Sequence, residues 1–99
     1  MNDAFDALAH PVRRDILKLL RDGPMSAGQL AEHFDLAKPT LSGDFTVLKG
    51  AGLVTAERRG TTILYRLNMS VMEEAVAALM SLMEKGEGAK QWKLARRSS

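Results

Sequence analysis

The 99-residue sequence predicts a mainly α chain carrying one small β-hairpin, an α+β arrangement, and two observations support this. Apolar residues recur at helical spacing in successive segments as far as Gly52, with Gly, Pro and Asp separating one segment from the next. Beyond Gly52 the period changes. Residues 53–58 and 62–67 read as extended runs, and Gly60 lies between them.

Residues 2–8 predict a short first helix, with Asn2 at the N-cap, Asp3 in the first turn, and Phe5 and Leu8 on one apolar side. So short a helix is unstable alone in water, so it must dock. Pro11 opens a second helix whose buried side is Val12, Ile16, Leu17, Leu19 and Leu20. Arg13, Arg14, Lys18 and Arg21 cluster on it as a solvated face, with the Arg13/Arg14 pair also open to phosphate contact; Arg14 is alternatively an ion-pair partner of Asp44 or Glu32. Asp22-Gly23-Pro24 stops the helix. Ser26 and Gln29 then form a capping box, with Met25 and Leu30 at the staple positions. A third helix is expected over residues 27–34, with Leu30, Ala31 and Phe34 inward.

After a turn at Asp35-Leu36-Ala37 comes the stretch on which function depends. Leu41, Phe45 and Leu48 fall at i, i+4 and i+7 and share one face. The opposite face carries Pro39, Gly43, Thr46 and Gly50, with Ser42 and Val47 at its margins. An ordinary amphipathic core helix has the same apolar spacing. The slim, polar outer face, however, also suits a groove, and two short helices around a tight turn have helix-turn-helix geometry. Ala51-Gly52 ends the helix. The hairpin that follows has a basic, hydroxyl-rich tip of Arg58, Arg59, Thr61 and Thr62, the composition of a phosphate-holding wing or of an ordinary soluble hairpin end.

Ser70 and Glu73 predict a second capping box, opening a last helix to about residue 84. Its apolar residues wrap more than half the cylinder, and an uncovered apolar face calls for a partner, most cheaply a second copy. Four of the six methionines lie in or beside it (Met69, Met72, Met80, Met83), which suits an adaptable packing surface.

Hydrophobic and charged fractions of 45% and 26% are those of an ordinary folded domain. One winged helix-turn-helix domain is expected over residues 1–85, with a basic tail over 86–99. The formal net charge of +2 is unevenly placed. Through Glu84 there are nine Lys/Arg against eleven Asp/Glu, and from Lys85 onward five against one. Net charge is therefore no argument for nucleic-acid binding by the folded part; local clustering has to supply it. The absence of cysteine excludes disulfides and thiolate metal sites. There is no long apolar run and no charged-then-apolar leader, so a cytoplasmic protein with no membrane partner is expected. No nucleophile–base pair, acid/base carboxylate pair or phosphate-cradling loop can be assembled, so no enzyme is expected.

The segments Ala7-Leu8-Ala9-His10-Pro11-Val12-Arg13-Arg14-Asp15-Ile16-Leu17, Leu30-Ala31-Glu32-His33-Phe34, Leu48-Lys49-Gly50-Ala51-Gly52-Leu53-Val54 and Gly60 with Tyr65-Arg66-Leu67-Asn68 resemble the ArsR family of winged helix-turn-helix repressors, and within it the SdpR-type autorepressors. The resemblance covers roughly residues 2–84. It implies a dimer joined through the first and last helices and bound to an inverted-repeat operator in double-stranded DNA. The metal-sensing patterns of the family are missing. The third helix has no Cys, the last has no His, and His10 and His33 lie elsewhere, so no metal and no cofactor are expected. Where relatives carry Ser-x-His-Leu or Ser-His-His-Leu, this chain has Ser42-Gly43-Asp44-Phe45.

The expected DNA contacts are Lys38, Thr40, Ser42, Gly43 and Thr46 in the major groove, with Gly43 admitting close backbone approach. Arg58, Arg59, Thr61 and Thr62 serve the wing, with Lys49 and the Arg13/Arg14 pair as further phosphate contacts. The expected dimer interface is Phe5, Leu8, Met72, Val76, Leu79, Met80 and Met83. The alternative is a winged-helix protein-interaction module with weakened DNA binding, motivated by Gly43, Asp44 and the acidic balance of the folded part.

Overall fold

The computed structural model describes residues 2–35 and 38–84, in the order α1 (Asn2–Leu8), α2 (Pro11–Leu20), β1 (Met25–Ser26), α3 (Ala27–Ala31), α4 (Lys38–Gly50), β2 (Val54–Arg59), β3 (Thr62–Leu67) and α5 (Met69–Ser81). The basic tail, the Leu36-Ala37 part of the predicted turn and the Lys38 and Pro39 side chains lie outside the described residues.

The first helix docks because α2 satisfies its C-terminal carbonyls. Arg13 Nε donates to Ala7 O at 2.8 Å, Arg13 Nη2 to Asp6 O at 3.0 Å, and Arg14 Nη1 to Leu8 O at 2.7 Å. Two guanidinium groups thus meet acceptors that a short helix cannot satisfy internally, at the end where the helix dipole favours cations. Ala4 and Ala7 are buried beneath this junction.

The capping box at the start of α3 forms as expected. Ser26 Oγ accepts from Gln29 N at 3.1 Å, and Gln29 Oε1 accepts from Ser26 N at 2.9 Å. The α3 helix is shorter than the predicted residues 27–34, ending at Ala31. His33 N and Phe34 N instead donate to carbonyls three residues back, a tighter turn than the α-helix. Met25 and Ser26 also pair with Tyr65 and Leu64, giving a three-stranded antiparallel sheet in the order β1-β3-β2. Two residues are too few to display an alternating pattern, so β1 has no signal along the chain.

The end of α4 is a Schellman motif. Leu53 N donates to Leu48 O, Gly52 N to Lys49 O, and Gly52 takes the left-handed φ of +77° that the motif requires. Leu48 and Leu53 are both fully buried, closing the hydrophobic contact of the motif and leading the chain directly into β2. At the hairpin tip Arg59 pairs with Thr62, leaving Gly60-Thr61 as a two-residue turn with Gly60 at φ +62°.

One core runs through the protein, with Ile16, Leu17, Leu20, Leu30, Leu41, Leu48 and Tyr65 among its members. The last helix departs from expectation at both ends. Asn68, not Ser70, occupies the N-cap, without a side-chain cap bond, and the helix ends at Ser81, short of residue 84. Asn68 N donates to Leu53 O at 2.8 Å, so the start of α5 is set by the backbone of the hairpin and not by a capping box. Ala75 alone of the α5 residues is buried; Val76, Leu79 and Met80 are 46%, 44% and 46% exposed. Phe5, Leu8 and Met72 are half-buried against the core. No described helix is long and apolar enough to cross a membrane.

Ser26→Ala should lower stability by about 1 kcal/mol, the usual cost of losing an N-cap. Urea denaturation followed by circular dichroism measures it.

Candidate nucleic-acid interface

The α4 helix is two-sided, as its spacing predicts. Leu41, Phe45 and Leu48 are buried, and Phe45 packs against Tyr65 with ring centroids 4.6 Å apart. Thr40, Ser42, Gly43, Thr46 and Lys49 face solvent. A Cβ at Gly43 would meet nothing within 4 Å, so internal packing does not require glycine there. The helix nonetheless carries its cost of about 1 kcal/mol relative to Ala. The outer surface of α4 is flatter for it. Thr46 Oγ1 donates to Ser42 O at 3.0 Å, which leaves that hydroxyl to act outward as an acceptor.

The strand register separates the wing arginines. Arg58 lies opposite Ile63, on the side of the sheet that carries Val54 and Tyr65 into the core. Arg59 shares the other side with Glu57, Leu64 and Arg66. There Glu57 holds two cations: Oε1 lies 3.3 Å from Arg59 Nε, and Oε2 lies 3.5 Å from Arg66 Nη2. Arg58 has no acidic partner among the described residues. The expected wing contacts are therefore unequal, with Arg59 held in an ion pair and Arg58 without one among the described residues. Period-two alternation already puts Glu57 beside Arg59 in the sequence; the cross-strand Arg66 needs the register. Thr61 and Thr62 are exposed at the tip.

Of the basic cluster of α2, Arg13 alone is directed inward, while Arg14, Lys18 and Arg21 are exposed. Arg13, besides holding α1, pairs with Asp44 across 3.3 Å, with the two side chains only 11% and 14% exposed. The ion pair anticipated for Arg14 thus belongs to Arg13. Arg14 is instead bound to the Leu8 carbonyl, and Glu32 pairs with neither. Successive residues on a helix differ by about 100° in direction, and that rotation decides which of the two reaches α4. Arg13 thus has its donors engaged within the protein. Asp44 does not lie on the outer row of α4, and its charge is matched within the protein.

His10 occupies the N-cap of α2 without a side-chain cap bond, and His33 is exposed. Among the described residues, no group of three or more His, Asp or Glu is placed to hold a metal ion.

A short helix-turn-helix, a slim exposed face on its second helix and a cationic hairpin beside it define a winged helix-turn-helix protein. The chain belongs to the ArsR family of winged helix-turn-helix transcriptional repressors. A helix-turn-helix domain family model matches residues 8–57. The transcriptional repressor SdpR of Bacillus subtilis is 39% identical over 87 residues, spanning 88% of this chain and 97% of that protein. Among solved structures, an ArsR family transcriptional regulator matches with a TM-score of 0.71 at 28% identity, covering 86% of this chain and 91% of its own. The transcriptional repressor BigR from Xylella fastidiosa matches with a TM-score of 0.66 at 30% identity, covering 86% and 87%.

Asp44→Ala strands a largely buried guanidinium and should cost about 1–3 kcal/mol. Asp22→Ala, which removes the Arg21–Asp22 pair at 66% and 84% exposure, should cost no more than about 0.5 kcal/mol. Urea titration of both variants separates the two cases. On duplex DNA, Arg58→Ala should flatten the log Kd against log salt slope by about 1, the mark of one lost phosphate contact. Arg59→Ala should flatten it less, as fluorescence anisotropy at several salt concentrations would show.

Proposed function

We propose that the protein represses transcription as a homodimer on an inverted-repeat operator, in the cytoplasm, by occupying promoter DNA. The observation that carries this is α4: Leu41, Phe45 and Leu48 anchor it, and Ser42, Gly43, Thr46 and Lys49 are turned outward. In this reading Thr40, Ser42 and Thr46 meet base edges or phosphates, with Lys38 beside them. Gly43 lets the backbone approach the groove floor, and Arg58 holds phosphate beside the wing, assisted by Thr61, Thr62 and Arg59.

The second copy is called for by α5. Val76, Leu79 and Met80 are exposed along it, and Leu82 and Met83 follow in the next turn. Packing this surface and α1 against the same surfaces of a partner removes it from water. It also places two α4 helices for successive major grooves about 34 Å apart. Repression then needs affinity alone and no chemistry. Asp44, engaged by Arg13, offers no reason for phosphates to be repelled, which removes one of the motives for a protein-interaction module without DNA binding.

Fluorescence anisotropy with duplex from upstream of the protein's own gene should show sequence-selective, salt-dependent binding at sub-micromolar protein. Absence of any such shift refutes the proposal. Leu79→Glu should yield a monomer by analytical ultracentrifugation at concentrations where the parent is dimeric. Its operator affinity should fall to the non-specific level, a loss of about 10³-fold or more.

A further inference from the structure

Between α3, α4 and β3 lies a hollow of about 310 Å³. Three small residues on one side of α3, Ala27, Gly28 and Ala31, leave it open, and Ser42, Phe45 and Tyr65 form the facing wall. None of the lining side chains is charged. Sterics do not impose the hollow, because a Cβ at Gly28 would meet only Ser26 Oγ, at 3.9 Å.

Tyr65 brings a hydrogen-bond donor to this wall. It is only 8% exposed, yet its hydroxyl makes no hydrogen bond to any described residue. The hydroxyl is not one of the sealed polar atoms left without a partner, so it can donate to an occupant of the hollow. Burial pushes the Tyr65 phenol above its usual range, so the hydroxyl keeps its proton and remains a donor.

We propose that this hollow binds a compact, uncharged molecule of about two fused rings that carries one hydrogen-bond acceptor, and that its occupant withdraws Ser42 from DNA. The size follows from the volume: an apolar cavity of about 150 Å³ holds one benzene ring, and ligand sites begin near 300 Å³. The absence of charge in the lining excludes an ionic ligand, whose desolvation would go uncompensated. The acceptor answers the Tyr65 hydroxyl, and the flat body lies against the Phe45–Tyr65 pair. Because the same hollow is walled by Ser42 on the α4 surface, a ligand here acts on the helix assigned to the operator. That second half rests on the DNA-binding function proposed above.

Coumarin, a neutral bicycle with a lactone carbonyl, is a suitable probe. Titrated onto the full chain without DNA, it should give saturable amide shifts at Gly28, Ser42 and Ile63 in ¹⁵N–¹H spectra. Tyr65→Phe, which removes only the hydroxyl, should weaken binding about fivefold, the worth of one net hydrogen bond. Ala31→Leu should abolish it by filling the space. Saturating coumarin should lower affinity for the operator duplex at least tenfold. No saturable shifts up to the solubility limit of coumarin, or shifts that both variants leave unchanged, would overturn the site. Saturation with unchanged duplex affinity would overturn its coupling to DNA. Since the binding arm contains no DNA, failure of the operator function leaves that arm to be judged separately.

Discussion

The guanidinium of Arg13 is the tie on which the rest of the arrangement depends. Its donors reach the Asp6 and Ala7 carbonyls at the end of α1 and the Asp44 carboxylate on α4. One side chain from the first turn of α2 thus fixes both the helix that precedes it and the helix that presents the outer polar row. The planar, five-donor geometry of arginine makes this possible; a lysine at the same place has a single ammonium and no fork. The ion pair contributes little by Coulomb attraction alone. Its weight lies in what is stranded if it breaks, because neither group can return to bulk water without moving a helix.

The second organising link is backbone, not side chain. Ser26 caps α3 and pairs with Leu64, so the first helix of the helix-turn-helix unit and the wing share one residue. The Schellman turn at Gly52 joins the far end of α4 to β2 on the same sheet. Both helices of the unit are therefore attached to the hairpin, through opposite edges of the third strand's neighbourhood. Helix and wing are presented as one body, and α5 is positioned by the same sheet through the Leu53 carbonyl.

Charge is arranged by this framework more than by composition. The folded part carries more acid than base, yet two of its acids are placed to match cations: Asp44 with Arg13, and Glu57 with Arg59 and Arg66. Among the described side chains, what remains toward solvent on α4 is Lys49, and on the core-facing side of the hairpin Arg58. A small number of unmatched cations, correctly placed, suffices for phosphate contact, because each released counterion contributes separately.

Much of this is written in the sequence. The spacing of Leu41, Phe45 and Leu48, the Ser26–Gln29 box, the stop at Gly52 and the hairpin about Gly60 are local patterns governed by short-range geometry, and each stands where the residues put it. Contacts between residues distant in sequence are another matter. That Arg13 and not Arg14 reaches Asp44 depends on a helix rotation and a crossing between α2 and α4, across a sequence separation of 31. The β1 strand exists only because β3 passes beside it, and Asn68 displaces Ser70 as the cap because the hairpin fixes where α5 begins. The hollow beside Tyr65 has no signature along the chain. Sequence determines which faces are apolar and where the chain must turn, since these follow from side-chain period and backbone sterics. Which charges meet, and where a space is left between packed elements, is decided only in three dimensions, because both depend on the relative placement of elements that share no local pattern.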